Sequence, residues 1–85
     1  MVEKTITINN ELGLHARPAA LFVQACGKYK SDIYIEKGDN KVNAKSIMGI
    51  MALGVYQGEE IKIIASGYDE EDALKGITEF LENLK

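Results

Sequence analysis

Four consecutive positions in a chain of 85 residues, His15-Ala16-Arg17-Pro18, hold its only histidine, its only arginine and its only proline. Imidazole is the one side chain that is largely neutral near pH 7 and still a good nucleophile. Arginine is a permanent cation suited to planar anions. A histidine beside an arginine can therefore accept a phosphoryl group on a ring nitrogen. The product is a reactive phosphoramidate, suited to being passed on rather than stored. On residue types alone, the plainer reading is a surface histidine capping a helix beside a solvated arginine.

The surrounding elements bear on that choice. Ala19, Phe22, Val23 and Cys26 follow helical spacing, Gly27 stops the run, and Pro18 belongs in a first turn. His15 and Arg17 thus fall at a helix N-terminus, where unpaired N–H groups favour an anion. Ala16, Ala19 and Ala20 are small and keep the site open.

Four segments alternate as half-buried strands. The first carries Val2, Ile6 and Ile8 opposite Glu3, Thr5 and Thr7, and the second carries Ile33 and Ile35. A Gly38-Asp39-Asn40 turn leads to a short third strand, Lys41-Val42-Asn43. The fourth carries Ile61, Ile63 and Ala65 opposite Lys62, Ile64 and Ser66. Between the last two, Ser46 and Gly54 read as N-cap and C-cap of a short helix. The final helix opens on Asp69-Glu70-Glu71-Asp72, acids that suit its dipole, and carries the stripe Ala73, Leu74, Ile77, Phe80, Leu81 and Leu84. Gly76 interrupts this stripe at about 1 kcal/mol relative to alanine and suggests a close helix contact. The order β-α-β-β-α-β-α predicts an α+β fold: a mostly antiparallel four-stranded sheet, helices on one face and water on the other.

Composition narrows the function. A net charge of -3 without a basic stripe argues against nucleic acid, and the four scattered tyrosines make no stacking platform. One histidine and one cysteine make a protein-built zinc site an unfavoured reading. No phosphate-binding glycine loop predicts ATP binding, and no cofactor is expected. Cys26 lies on an apolar helix face and reads as core. A lone cysteine, no leader sequence and no long apolar run point to a cytoplasmic protein of one domain, residues 1–85, without membrane insertion.

The segment Gly13-Leu14-His15-Ala16-Arg17-Pro18-Ala19 resembles the active-site signature of HPr, the histidine-containing phosphocarrier family of the bacterial phosphoenolpyruvate:sugar phosphotransferase system. The likeness extends over essentially the whole chain. It implies an open-faced β-sandwich with three helices on one side of a four-stranded antiparallel sheet. It further implies that His15 takes a phosphoryl group on Nδ1 from phosphorylated Enzyme I and gives it to a histidine of a sugar-specific EIIA domain. Arg17 would steady the phosphoryl group. Such a protein is a covalent relay rather than an enzyme with turnover of its own, and a monomer is the default. Leu12 departs from the family, where many relatives carry a small hydroxyl residue, so no side-chain hydrogen bond to phosphate is expected from that position.

Lys45-Ser46-Ile47-Met48-Gly49-Ile50-Met51 resembles the regulatory serine segment of the Gram-positive-type members. That likeness implies phosphorylation of Ser46 by an ATP-dependent HPr kinase/phosphorylase. The modified form would bind a catabolite repressor and serve Enzyme I poorly. A helix of two turns cannot bury all its apolar residues. Ile50 and Leu53 are expected inward, while Ile47, Met48 and Met51 are expected outward. The resemblance implies that this helix lies beside His15 and forms one docking face with Ala16 and Ala20. Other readings are a mainly regulatory relative acting through phosphorylated Ser46, a nitrogen-type or dihydroxyacetone-linked carrier, and a plain α+β interaction or RNA-binding module.

Overall fold

The alternating segments form strands and the 3.6-residue stripes form helices. The computed structural model describes residues 1–84, and its elements run β1 (Val2–Thr7), α1 (Ala16–Cys26), β2 (Asp32–Lys37), β3 (Asn40–Asn43), α2 (Ile47–Leu53), β4 (Glu60–Ser66) and α3 (Glu70–Glu82). The strands make one sheet in the order β1-β4-β2-β3, and every neighbouring pair is antiparallel. β4 is inserted between β1 and β2, so α1 crosses over it. α3 lies on β1 and β4, α2 lies on β3, and α1 packs against both other helices.

The inward parity of the strands holds. Ile33, Ile35, Ile61, Ile63 and Ala65 are buried with Phe22, Ile50 and Ile77 in one apolar cluster. Complete burial of an isoleucine or phenylalanine contributes about 1.5–3 kcal/mol.

The outer face of the sheet is not simply wet. Ile64 points away from the helices yet is buried, flanked across the ladder by Glu3 and Tyr34. Gly27 follows α1 in the right-handed region (φ -65°), so α1 ends without the left-handed turn that glycine often supplies.

The acids opening α3 do more than answer its dipole. The Asp69 carboxylate accepts from the backbone N–H groups of Lys30 and Ser31, each at 2.9 Å, and from the Ser31 hydroxyl. These bonds hold its carboxyl below the ordinary aspartate value, with the Ser31 hydroxyl the largest cause. Glu70 accepts from the Gly67 N–H at 3.1 Å and pairs with the Met1 ammonium at 3.0 Å. At Gly76 the close neighbour is Tyr29, whose hydroxyl occupies the space a Cβ would need.

Candidate functional site

The segment before His15 is shaped by a second loop. Ile8 N–H donates to Glu59 O at 2.9 Å, Gly58 N–H to Ile8 O at 2.7 Å and Leu14 N–H to Val55 O at 3.0 Å. Within the first loop, Gly13 N–H donates to Asn10 O at 3.1 Å and the Asn10 amide returns a bond to Gly13 O at 2.8 Å. Asn10 is buried and ties this turn shut. Gly13 has φ +60°, and a Cβ there would overlap the Val55 carbonyl. A short, cross-linked path thus leads from β1 to the histidine.

His15 occupies the N-cap position of α1 in an extended conformation, yet its side chain makes no capping hydrogen bond. The imidazole is therefore not acting as a cap. Its Nε2 is buried without a partner, while the residue as a whole is half-buried. Behind it, the first-turn N–H groups of Ala16 and Arg17 have no helical acceptor, and Pro18 carries no donor at all. Ala16 has φ +52°, a left-handed conformation that costs an L-residue roughly 1–2 kcal/mol. This strain sits directly beside the candidate nucleophile. Arg17 is exposed and takes part in no salt bridge among the described residues, leaving its guanidinium free for an incoming anion.

A polar cluster absent from the sequence reading borders the imidazole. The Tyr56 ring lies 4.5 Å from the His15 ring, centroid to centroid, tilted by 45°. Glu59 accepts from Tyr56 N–H at 2.7 Å and from the Lys37 ammonium at 3.1 Å. Lys37 also donates to Gly54 O at 2.6 Å and stands 5.8 Å from the Tyr56 ring centroid. The Tyr56 N–H, then Lys37, holds the Glu59 carboxyl below its usual range, so it stays a carboxylate at neutral pH. Tyr56 therefore belongs to the site and is not one of four unrelated tyrosines. One signal was available in the sequence: Lys37 shares its strand parity with Ile33 and Ile35, which turns a lysine toward the helix side.

α2 is built as its caps predict. Ser46 Oγ accepts from Gly49 N–H at 3.1 Å, and Gly54 ends the helix in the left-handed region (φ +68°). Ile50 and Leu53 are buried, whereas Ile47, Met48 and Met51 are 38%, 80% and 53% exposed. Ala16 and Ala20 are exposed on the neighbouring α1. Leu12 is exposed in the turn before His15, and its side chain offers phosphate no hydrogen bond. Ser46 caps the start of α2 while His15 lies beside Val55 and Tyr56 just past its end, and α2 is about 10 Å long at 1.5 Å per residue.

Elsewhere, a groove of about 400 Å³ lies between β1 and α3, lined by residues including Lys4, Leu74 and Thr78 and by none that border His15. No group of three or more His, Cys, Asp or Glu among the described residues could hold a metal ion. Cys26 is buried, which pushes its thiol up to about 12. No helix among the described residues is long and apolar enough to cross a membrane.

An α+β sandwich that presents an uncapped histidine at the start of α1 defines a phosphocarrier-like class, and the comparisons agree. Residues 2–83 match the family model described as the PTS HPr component phosphorylation site. The HPr-like protein Crh of Halalkalibacterium halodurans is 49% identical over 82 residues, covering 96% of this chain and 98% of the relative. HPr-C-His from Thermoanaerobacter tengcongensis superposes with a TM-score of 0.95 at 58% identity, covering 96% of this chain and 92% of that one. Crh of Bacillus subtilis, solved as a swapped, intertwined dimer, superposes with a TM-score of 0.77 at 46% identity over 96% and 94% of the two chains. The chain belongs to the HPr family of the phosphotransferase system. It is a phosphocarrier or a phosphocarrier-like regulatory protein of the Gram-positive type.

Proposed function

We propose that this protein is a working phosphocarrier. His15 Nδ1 accepts a phosphoryl group from phosphorylated Enzyme I, the donor's bond to phosphorus breaking as the Nδ1–P bond forms. The group then passes to a histidine of an EIIA domain, coupling phosphoenolpyruvate to sugar uptake. The observation that carries this reading is a half-buried histidine that makes no capping bond at the start of α1, beside free helix N–H groups. Arg17 meets the phosphoryl oxygens, and no turnover of free substrate is required. Ala16, Ala20, Ile47, Met48 and Met51 form the surface on which Enzyme I and EIIA dock. The relay works in the cytoplasm, with residues 1–85 acting as one domain.

Ser46 is the regulatory position. Its hydroxyl already faces the α2 N-terminus, so a phosphate there would meet the helix dipole favourably and leave the fold intact. An HPr kinase/phosphorylase would install it. The new charge at the rim of the Met48 and Met51 surface would weaken Enzyme I docking and recruit a catabolite repressor. The Crh relatives support a second, mainly regulatory reading, but His15 is present here and is not used as a cap, which favours a carrier. The working form is a monomer in this reading, and the swapped dimer of Bacillus subtilis Crh is the competing state.

The test is a reconstituted chain. Label from phosphoenolpyruvate should pass through Enzyme I and this protein to an EIIA domain, and His15→Ala should abolish that flow. Continued flow in the variant overturns the carrier role. Light scattering of the same sample separates monomer from dimer.

A further inference from the structure

We infer that Tyr56, held in place by Glu59 and Lys37, selects which imidazole nitrogen of His15 reacts, by covering Nε2 and leaving Nδ1 to the incoming phosphorus. This inference deepens the carrier reading and rests on it for its biological meaning, but its chemistry can be tested alone.

An unhindered histidine side chain offers two nucleophilic nitrogens, and Nε2, farther from the backbone, is the less crowded. In this protein Nε2 is buried without a partner although the residue as a whole is only half-buried, so the ordinarily less crowded nitrogen is the covered one. An aromatic ring 4.5 Å away, centroid to centroid, is large enough to close one side of the imidazole. Tyr56 is itself 62% exposed, so core packing does not hold it there. Its backbone does, since Tyr56 N–H is bonded to the Glu59 carboxylate at 2.7 Å. That carboxylate is fixed by Lys37 at 3.1 Å, and Lys37 anchors the same turn through Gly54 O at 2.6 Å. Both bonds are charge-assisted and roughly twice as strong as neutral ones. The cluster thus joins the end of β2 to the 54–59 loop and sets the ring over the histidine. Tyr56, Glu59 and Lys37 act here as positioning residues.

Phosphoramidate, a small phosphoryl donor that needs no protein partner, reads the selection directly. The lone pair of one ring nitrogen forms the new N–P bond, the donor's N–P bond breaks, and ammonium leaves with the imidazole proton. Phosphorus-31 NMR distinguishes the two phosphohistidine isomers. The wild-type protein should give the Nδ1 isomer. Tyr56→Ala should shift the product toward Nε2, Glu59→Ala should give a mixture, and Tyr56→Phe, which keeps the ring, should behave as wild type. Circular dichroism shows that each variant is folded. Nε2 product or no product from the wild type, a Tyr56→Ala product still confined to Nδ1, or lost selectivity in Tyr56→Phe would each overturn the inference. Because Enzyme I is absent, selection can hold even if the relay fails, and the relay can hold even if Tyr56 selects nothing.

Discussion

The Val55 carbonyl fills the space beside Gly13, accepting the Leu14 N–H at 3.0 Å while leaving no room for a Cβ on the glycine. The turn that delivers His15 is therefore moulded on the loop that carries Tyr56. Gly13→Ala adds a left-handed alanine and an overlap with backbone that cannot swing away. Urea unfolding should show a loss of roughly 2 kcal/mol or more. Phosphoryl acceptance should also fall, because the histidine is displaced.

Arg17 is exposed and outside any salt bridge among the described residues, so Arg17→Ala should leave stability within about 0.5 kcal/mol of wild type. In the relay the same change removes the cation that meets the phosphoryl group, and the acceptance rate should fall by about 100-fold. Stopped-time labelling with Enzyme I measures it; an unchanged rate would remove Arg17 from the mechanism.

Much of this arrangement was legible because it is local. Ser46 and Gly54 bracket α2 at the spacing that caps demand, and the division of Ile50 and Leu53 from Met48 and Met51 follows from a helix with one covered face. Ile33, Ile35, Ile61 and Ile63 are spaced by two and all face the core. What was hidden is long-range. Lys37 meets Glu59 across 22 positions, and Asp69 reaches Ser31 across 38. The strand parity of Lys37 turns it inward, but nothing in the chain marks Glu59 or Ser31 as the partner. The left-handed Ala16 was also invisible, since alanine gives no sign of positive φ. Gly76 announced that something stands close, but only the packing of α1's trailing end on α3 identifies Tyr29.

That pair gives a sign reversal. Glycine to alanine inside a helix normally gains about 1 kcal/mol. Here the Tyr29 ring must move, so Gly76→Ala alone should gain nothing or lose stability. In a Tyr29→Ala background the full gain should return. A double-mutant cycle by urea unfolding measures the coupling, and strict additivity would contradict the packing.

The Asp69 cradle makes an acid prediction. Its carboxyl is held below the ordinary value of 3.8 by bonds that exist only in the folded state. Its stabilising effect is complete above 3.8 and is lost as pH falls through the lower folded value. Asp69→Asn should therefore flatten the loss of stability in that acid range while lowering stability at neutral pH. Unfolding curves across the range check both parts, and an unchanged acid slope would count against the cradle.

Removing the Ser46 cap by Ser46→Ala should cost about 1 kcal/mol. Ser46→Asp keeps an acceptor at the α2 N-terminus and should stay close to wild type in thermal melting. It should nonetheless slow acceptance from Enzyme I, since its charge stands at the rim of the exposed methionines. Equal acceptance rates for the two variants would argue against regulation through charge.

The most direct test is intact mass spectrometry of the protein after incubation with phosphoenolpyruvate, Mg²⁺ and Enzyme I, beside a His15→Ala control. The expected result is the mass of a single phosphate, lost on mild acid treatment and absent from the control. No added phosphate with an Enzyme I that labels a control phosphocarrier, or an equal addition in the His15→Ala sample, would contradict the carrier role.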